Sequence, residues 1–170
     1  MTDGPASTGK RHLPDLGPRG EGWVVGQVAL IGLAILLGRS GLGRLPPESV
    51  IGWVAFIIGT GAIAVGCWLL IRAVVDLGGR VTPWPRPRPD ARLVESGIYA
   101  SLRHPIYAGL ILASLGWSAL TTSPAAFVAS FLLAALLDGK ARREEAWLLE
   151  RYEGYAAYRR RSKRFVPRIY

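Results

Sequence analysis

Three stretches of this chain carry no charged side chain, and that absence limits the possible folds more than any motif does. They run over residues 22–38, 49–71 and 105–137, which is 17, 23 and 33 residues. A helix needs about 20 apolar residues to cross the hydrocarbon of a bilayer, within a range of roughly 17–25. The first stretch is marginal, the second fits, and the third is too long for one crossing. The third contains Thr121-Thr122-Ser123-Pro124, a turn-prone run whose proline favours a break. It is expected to form two short helices, 105–120 and 124–137, folded as a tight hairpin; one long kinked helix is the alternative. At 1.5 Å per residue these helices measure about 24 and 21 Å, enough only for a thinned bilayer or with help from flanking turns. The chain therefore reads as an all-α integral membrane protein. It has four to five hydrophobic helices, including the C-terminal hairpin, and a cytoplasmic amphipathic helix.

Composition supports this. Half of the 170 residues are hydrophobic and 19% are charged, against about 25% charged in an ordinary soluble domain. The apolar stretch at 22–38 is long for a signal peptide and lacks a good cleavage site, so it is expected to be retained. A single cysteine, Cys67, excludes an intrachain disulfide framework, and two histidines, His12 and His104, leave little for a multi-histidine metal site.

The formal net charge of +9 is distributed unevenly. With four spans, segments 1–21, 72–104 and 138–170 share one side and hold 19 of the 21 Lys and Arg residues; Arg39 and Arg44 lie on the other. By the positive-inside rule that larger group is cytoplasmic, at the inner membrane, with both termini inside. The charge then serves topology and contact with anionic lipid rather than nucleic acid. The run Arg159–Arg161, with Lys163 and Arg164, is read as such lipid contact. Residues 1–21 are expected to be a disordered tail, and 22–170 a single membrane domain with a cap formed by 72–104 and 138–170. Alternating prolines over Val81–Asp90 exclude helix and favour extended backbone. Residues 138–164 look helical.

No Asp, Glu, Lys or Arg lies inside the predicted spans, which argues against an ion-coupled transporter. Polar chemistry must then sit at the cytoplasmic face, where two clusters stand out. One is Ala91-Arg92-Leu93-Val94-Glu95-Ser96-Gly97-Ile98-Tyr99, followed by Arg103-His104-Pro105-Ile106-Tyr107-Ala108-Gly109. The other is Lys140-Ala141-Arg142-Arg143-Glu144-Glu145-Ala146-Trp147-Leu148, with tyrosines at 152, 155 and 158. Pro105 suits the first turn of a helix, placing His104 at its start beside unsatisfied backbone N–H groups. Taken singly, each feature has a plainer reading. Arg103 and His104 suit interfacial residues, Tyr99 and Tyr107 suit aromatic anchors, and Glu144-Glu145 suits a solvated helix face.

Together, the clusters resemble the isoprenylcysteine carboxyl methyltransferase family, whose wider kin include phospholipid methyltransferases. Leu93–Gly109 is similar to that family's Leu-Val-x-x-Gly-x-Tyr-x-x-x-Arg-His-Pro-x-Tyr-x-Gly region, and the paired glutamates, later tyrosines and Val166-Pro167 to its C-terminal pattern. The resemblance covers about residues 70–170, and the Gly/Ala/Arg-rich composition suggests a bacterial-type member. It implies a membrane methyltransferase using S-adenosylmethionine, with cofactor contacts at Arg92, Leu93, Val94, Tyr99, His104, Pro105, Ile106, Tyr107 and Glu144. The substrate-side cation it implies falls on Lys140, where the family typically has arginine, with Arg143 or Arg142 as substitutes. Glu145 would share the work of Glu144 or orient Arg103. A lipophilic acceptor with a carboxylate needs a cation and no base, whereas an amine would need one, from Glu145 or His104. A phospholipid or amine N-methyltransferase, a non-catalytic scaffold, and a reductase using another nucleotide are the rival readings. No glycine-rich dinucleotide fingerprint supports the last.

Overall fold

A computed structural model of the protein describes residues 16–40, 49–78 and 93–170. Arg92, the proline-alternating segment, residues 1–15 of the expected tail and most of the 39–48 loop lie outside the described residues. Helix α1 spans Glu21–Arg39, α2 Val50–Leu77, α3 Pro105–Leu120, α4 Pro124–Arg151 and α5 Tyr155–Arg161, with a 3₁₀ turn at Gly97–Ala100 before α3. Residues 16–20 make a turn into α1, with the Gly20 N–H donating to Gly17 O at 3.1 Å.

The architecture is an all-α membrane protein. Helices α1, α2 and α4 are long and apolar enough to cross a membrane, and α3 is a shorter apolar helix. Their outward faces carry many exposed large apolar side chains, including Val25, Leu36, Ile51, Phe56, Trp68 and Phe131. Such a surface suits hydrocarbon rather than water.

The third charge-free stretch is a hairpin. Helix α3 ends at Thr121, whose hydroxyl donates back to Trp117 O at 2.8 Å. Thr122 turns the chain through φ 50°. Ser123 then caps α4 by accepting from Ala126 N–H, with Pro124 in the first turn. The same Ser123 hydroxyl donates to Leu37 O at 2.9 Å, tying the turn to the end of α1.

Two expectations need correction here. The hairpin's second helix does not end near residue 137. It continues unbroken to Arg151, 28 residues, or about 42 Å, so it is long enough to span and still protrude. Asp138 and Gly139 are poor helix formers, but Lys140, Ala141, Arg142, Arg143 and the glutamates that follow propagate a helix about as well as leucine, so the change in composition does not end it. The expected helix 138–164 is instead split at Tyr152–Gly154, where Tyr152 is extended at φ −118° and ψ 112°. That turn folds α5 back, and Tyr155 and Tyr158 become buried.

The most extensive packing is between α2 and α3, and glycines make it possible. Gly66 faces Gly109, and Gly59 faces Gly116, on antiparallel helices. A Cβ on Gly66 would lie 2.7 Å from Gly109 O, and one on Gly59 2.8 Å from Gly116 O. Backbones this close gain dispersion contacts that larger side chains would prevent, and hydrocarbon supplies no hydrophobic drive to replace them. Between α3 and α4 the contact includes three hydroxyls: Ser130 Oγ lies 2.6 Å from Ser114 Oγ and 2.9 Å from Ser118 Oγ. Each polar group there is satisfied within the protein, as a lipid environment requires.

Candidate functional site

One end of the bundle gathers most of the predicted site residues. Three pieces of chain build it: the segment from Leu93 through the first turns of α3, the protruding half of α4, and α5 with the C-terminal hook. The 3₁₀ turn is anchored from α2, where Asp76 accepts from Ile98 N–H at 2.8 Å and from Arg72 at 2.9 Å. Gly97 makes this approach possible, since at φ 61° a Cβ there would lie 2.3 Å from Asp76 Oδ2. Tyr99, the next buried residue, has its carbonyl held by the Tyr158 hydroxyl at 2.7 Å.

The chain then runs beside the C-terminal segment. Arg103 N–H donates to Lys163 O at 2.7 Å, His104 N–H to Arg164 O at 3.1 Å, and Lys163 N–H to Ser101 O at 2.9 Å. This short parallel pairing holds His104 as the residue before α3, with Pro105 following it. The His104 ring stacks on Tyr107, with centroids 5.2 Å apart and planes 5° from parallel.

Helix α4 brings the two glutamates to this ring pair, in different environments. Glu144 accepts from the Tyr107 hydroxyl at 2.9 Å and lies 3.7 Å from His104 Nδ1, with its side chain 24% exposed. It keeps acceptor capacity toward open space. Glu145 is buried and fully engaged. Its Oε1 accepts from Arg103 Nε and Arg164 Nε, each at 3.0 Å, and its Oε2 accepts from Arg164 Nη2 at 3.1 Å. Arg159 Nε lies 3.4 Å from Oε2. Burial alone would push the Glu145 carboxyl up, but His104 and Arg164 outweigh it and hold it well below its ordinary value. Glu145 is thus a permanent carboxylate that orients Arg103, and a weak proton acceptor.

Arg103 completes the join by donating to Arg159 O at 3.0 Å and to Ser162 O. Burial, followed by the charge of Glu144, pushes the Tyr99 phenol well above its ordinary value, so Tyr99 is a neutral hydroxyl within electrostatic reach of Glu144. Tyr99, His104, Tyr107, Glu144 and Glu145 are therefore brought together. Two buried polar atoms at this end of the bundle have no hydrogen-bond partner among the described residues: His104 Nε2, 3.3 Å from Glu145 Oε1 but misaligned, and the hydroxyl of the nearby Tyr155. Orphan atoms of this kind beside a half-open carboxylate mark a place for a polar ligand.

Lys140 lies one turn before Glu144 and is buried. Its ammonium donates to Gln27 Oε1 of α1 at 2.8 Å and sits 4.9 Å above the Tyr107 ring. Arg143 is directed elsewhere, with its guanidinium 4.6 Å over the Trp147 ring. Leu93 and Val94 are half-buried residues leading into the 3₁₀ turn, and Ile106 is half-buried on α3.

The reading of Arg164 as lipid contact is overturned. Its side chain is 10% exposed and pairs with both Glu145 and Asp138. Asp76 and Gln27 were missed altogether, and Tyr158 was singled out only as one of three tyrosines after the glutamates. Gln27 had a signal, being the one polar side chain in 22–38; Arg72 and Asp76 had another, the i, i+4 spacing of an ion pair.

Comparison with known proteins points the same way. A model of the phospholipid methyltransferase family matches residues 54–154, more than half of the chain, from α2 through both glutamates. The cobalt-zinc-cadmium resistance protein CzcN of Cupriavidus metallidurans is 36% identical over 83 residues. That match takes in 48% of this chain and 38% of the relative, so the chain spans well under half of that protein's length. Among the described residues, no group of three or more His, Cys, Asp or Glu is placed to hold a metal ion.

Proposed function

This chain belongs to the phospholipid methyltransferase family, and from that premise we propose that it transfers a methyl group from S-adenosylmethionine to a lipophilic acceptor. The observation supporting this reading is the convergence of Tyr99, His104, Tyr107 and Glu144 at one end of an apolar bundle. We place that end at the cytoplasmic face of the inner membrane, where a polar cofactor is available and where the Lys and Arg residues concentrate.

The residues present fit such a cofactor. Glu144 offers a carboxylate for its ammonium or a ribose hydroxyl, a charge-assisted bond. The Leu93–Val94 backbone offers hydrogen-bonding groups to the adenine. The Tyr99 ring offers a face to a cation, and the Tyr107 ring, already stacked on His104 and covered by Lys140, acts through its hydroxyl on Glu144. His104 Nε2 and the Tyr155 hydroxyl, which have no hydrogen-bond partner among the described residues, are positioned to meet bound polar atoms. S-adenosylmethionine supplies an electrophilic methyl group on sulfur, for an in-line displacement. The protein's part is alignment and exclusion of water.

For the acceptor, the charges favour a carboxylate and hence O-methylation. Lys140 is a buried cation whose hydrogen bond goes to a neutral amide. An incoming anion beside Tyr107 would replace that amide as its partner. Glu145, the candidate base for an amine, is committed to arginines. The family match favours a second reading, N-methylation of an amine headgroup, in which Glu144 attracts the ammonium.

Calorimetry on detergent-purified protein tests the cofactor assignment. Binding of S-adenosylmethionine is expected in the micromolar range, and no heat at millimolar cofactor would remove the enzyme reading. Lipid-extract profiling with an isotopically labelled methyl donor then separates ester from N-methyl products.

A further inference from the structure

The pairing of 101–103 with 162–164 is unevenly buried. Leu102, Ser162 and Arg164 are buried, and the pairing stays accessible at Ser101, which is exposed, and at Lys163, which is half-buried. These two open on a cleft of about 720 Å³ lined by Ala100, Ser101, Arg161, Lys163, Pro167 and Arg168. Arg161 is paired with Glu95 and lies over the Tyr158 ring. Lys163 and Arg168 add two positive charges that this carboxylate does not offset.

The C-terminal hook shapes the far wall. Phe165 and Val166 N–H donate to Tyr170 O at 2.7 and 2.8 Å, and Ile169 N–H donates to Val166 O at 3.1 Å. Within this turn Arg168 is held at φ 64°, a left-handed conformation unfavourable for a side-chain-bearing residue. The turn also leaves Val166, Ile169 and Tyr170 exposed, Ile169 at 76%. Cations rimmed by exposed apolar side chains are the pattern of a segment seated at headgroup level.

We propose that this cleft is a specific site for an anionic bilayer phospholipid, with Lys163 and Arg168 on the phosphate and Val166 and Ile169 at the acyl boundary. None of its lining residues belongs to the proposed methyl-transfer machinery, so the site stands apart from that reading. The size of the cleft and the two cations Lys163 and Arg168 that line it suit a phosphodiester headgroup rather than a diffuse ion atmosphere.

Native mass spectrometry of the full chain, presented with equal amounts of phosphatidylglycerol and phosphatidylcholine in detergent, tests this. The wild type is expected to retain phosphatidylglycerol selectively. The double variant Lys163→Ala/Arg168→Ala should lose that retention by roughly tenfold or more, as removal of two lipid-facing cations implies. Arg160→Ala, an exposed arginine outside the cleft, should leave it unchanged. Lys163→Arg/Arg168→Lys should keep it, and this variant decides the matter if the alanine protein does not fold. Equal retention of the two lipids would overturn the proposal, as would equal loss in Arg160→Ala or failure of the charge-keeping variant. Displacement of the lipid by inorganic phosphate at equal concentration would make the ligand a free anion and overturn the lipid assignment.

Discussion

The Tyr107 hydroxyl donates to Glu144 Oε2 across 2.9 Å, joining the first turn of α3 to the protruding half of α4. The two residues are 37 positions apart, and the hairpin turn at Thr121–Ser123 makes them neighbours. The bond uses one acceptor position of a carboxylate that remains 24% exposed, leaving the others to a ligand.

Replacement of Glu144 by alanine is therefore expected to weaken S-adenosylmethionine binding. A hydrogen bond to a charged group contributes about 1.5–3 kcal/mol, so the dissociation constant should rise roughly 10- to 100-fold. Calorimetry reads this directly, and an unchanged affinity would make Glu144 a structural partner of Tyr107 only.

Glu145 has the opposite character, and pH reveals it. Its folded-state pKa is depressed below the ordinary 4.5. Its contribution to stability is present above that value and is lost as the pH falls below 4.5 toward the folded value. Wild-type protein should lose melting temperature steeply on acidification through this range. Glu145→Gln should be less stable at neutral pH by about 3–5 kcal/mol, because Arg103 and Arg164 lose a buried counter-charge. It should also show a flatter acid limb in the same melts. Equal pH slopes for the two proteins would refute the assignment.

Lys140→Ala is expected to reduce turnover while leaving S-adenosylmethionine affinity unchanged, since Lys140 faces Gln27 and the ring of Tyr107. Lys140→Arg should restore part of the rate, a cation being what an anionic acceptor needs. Turnover measured with a labelled methyl donor checks both variants. Loss of cofactor affinity in Lys140→Ala would place the residue on the wrong side of the site.

The helix contacts make a prediction independent of chemistry. Gly66→Ala would drive a methyl group to 2.7 Å from Gly109 O and 2.8 Å from Ala113 N. Both are backbone atoms, so no rotamer change relieves the clash, and overpacking of this kind costs about 1–3 kcal/mol. Gly61→Ala, on the same helix with nothing within 4 Å, should leave thermal stability in detergent unchanged or raised. Similar melts for both would mean that α2 and α3 do not pack as described.

Much of this architecture was legible beforehand. The charge-free stretches located all four hydrophobic helices, because a bilayer excludes charge from the whole length of a span and the pattern needs no partner to be read. The hairpin was legible too, since Ser123-Pro124 acts locally on the chain that carries it. The end of α4 was not. Loss of apolarity at Asp138 marks where hydrocarbon stops, and a helix does not have to stop there. The split at Tyr152–Gly154 was hidden for a related reason: it arises from burial of Tyr155 and Tyr158 against distant chain.

Residue types and their order determined the helical membrane class, the end of the bundle where polar groups collect, and the family resemblance. All follow from local composition and short motifs. The division of labour between adjacent glutamates was decided only by tertiary structure. Glu144 and Glu145 have the same chemistry and nearly the same place on one helix. About 100° of helical rotation turns one toward Tyr107 and half-open space and the other into Arg103 and Arg164. Arg164 shows the same dependence, because a cation is a lipid contact or a buried counter-ion according to what the fold brings to meet it, and no property of the arginine itself distinguishes the two.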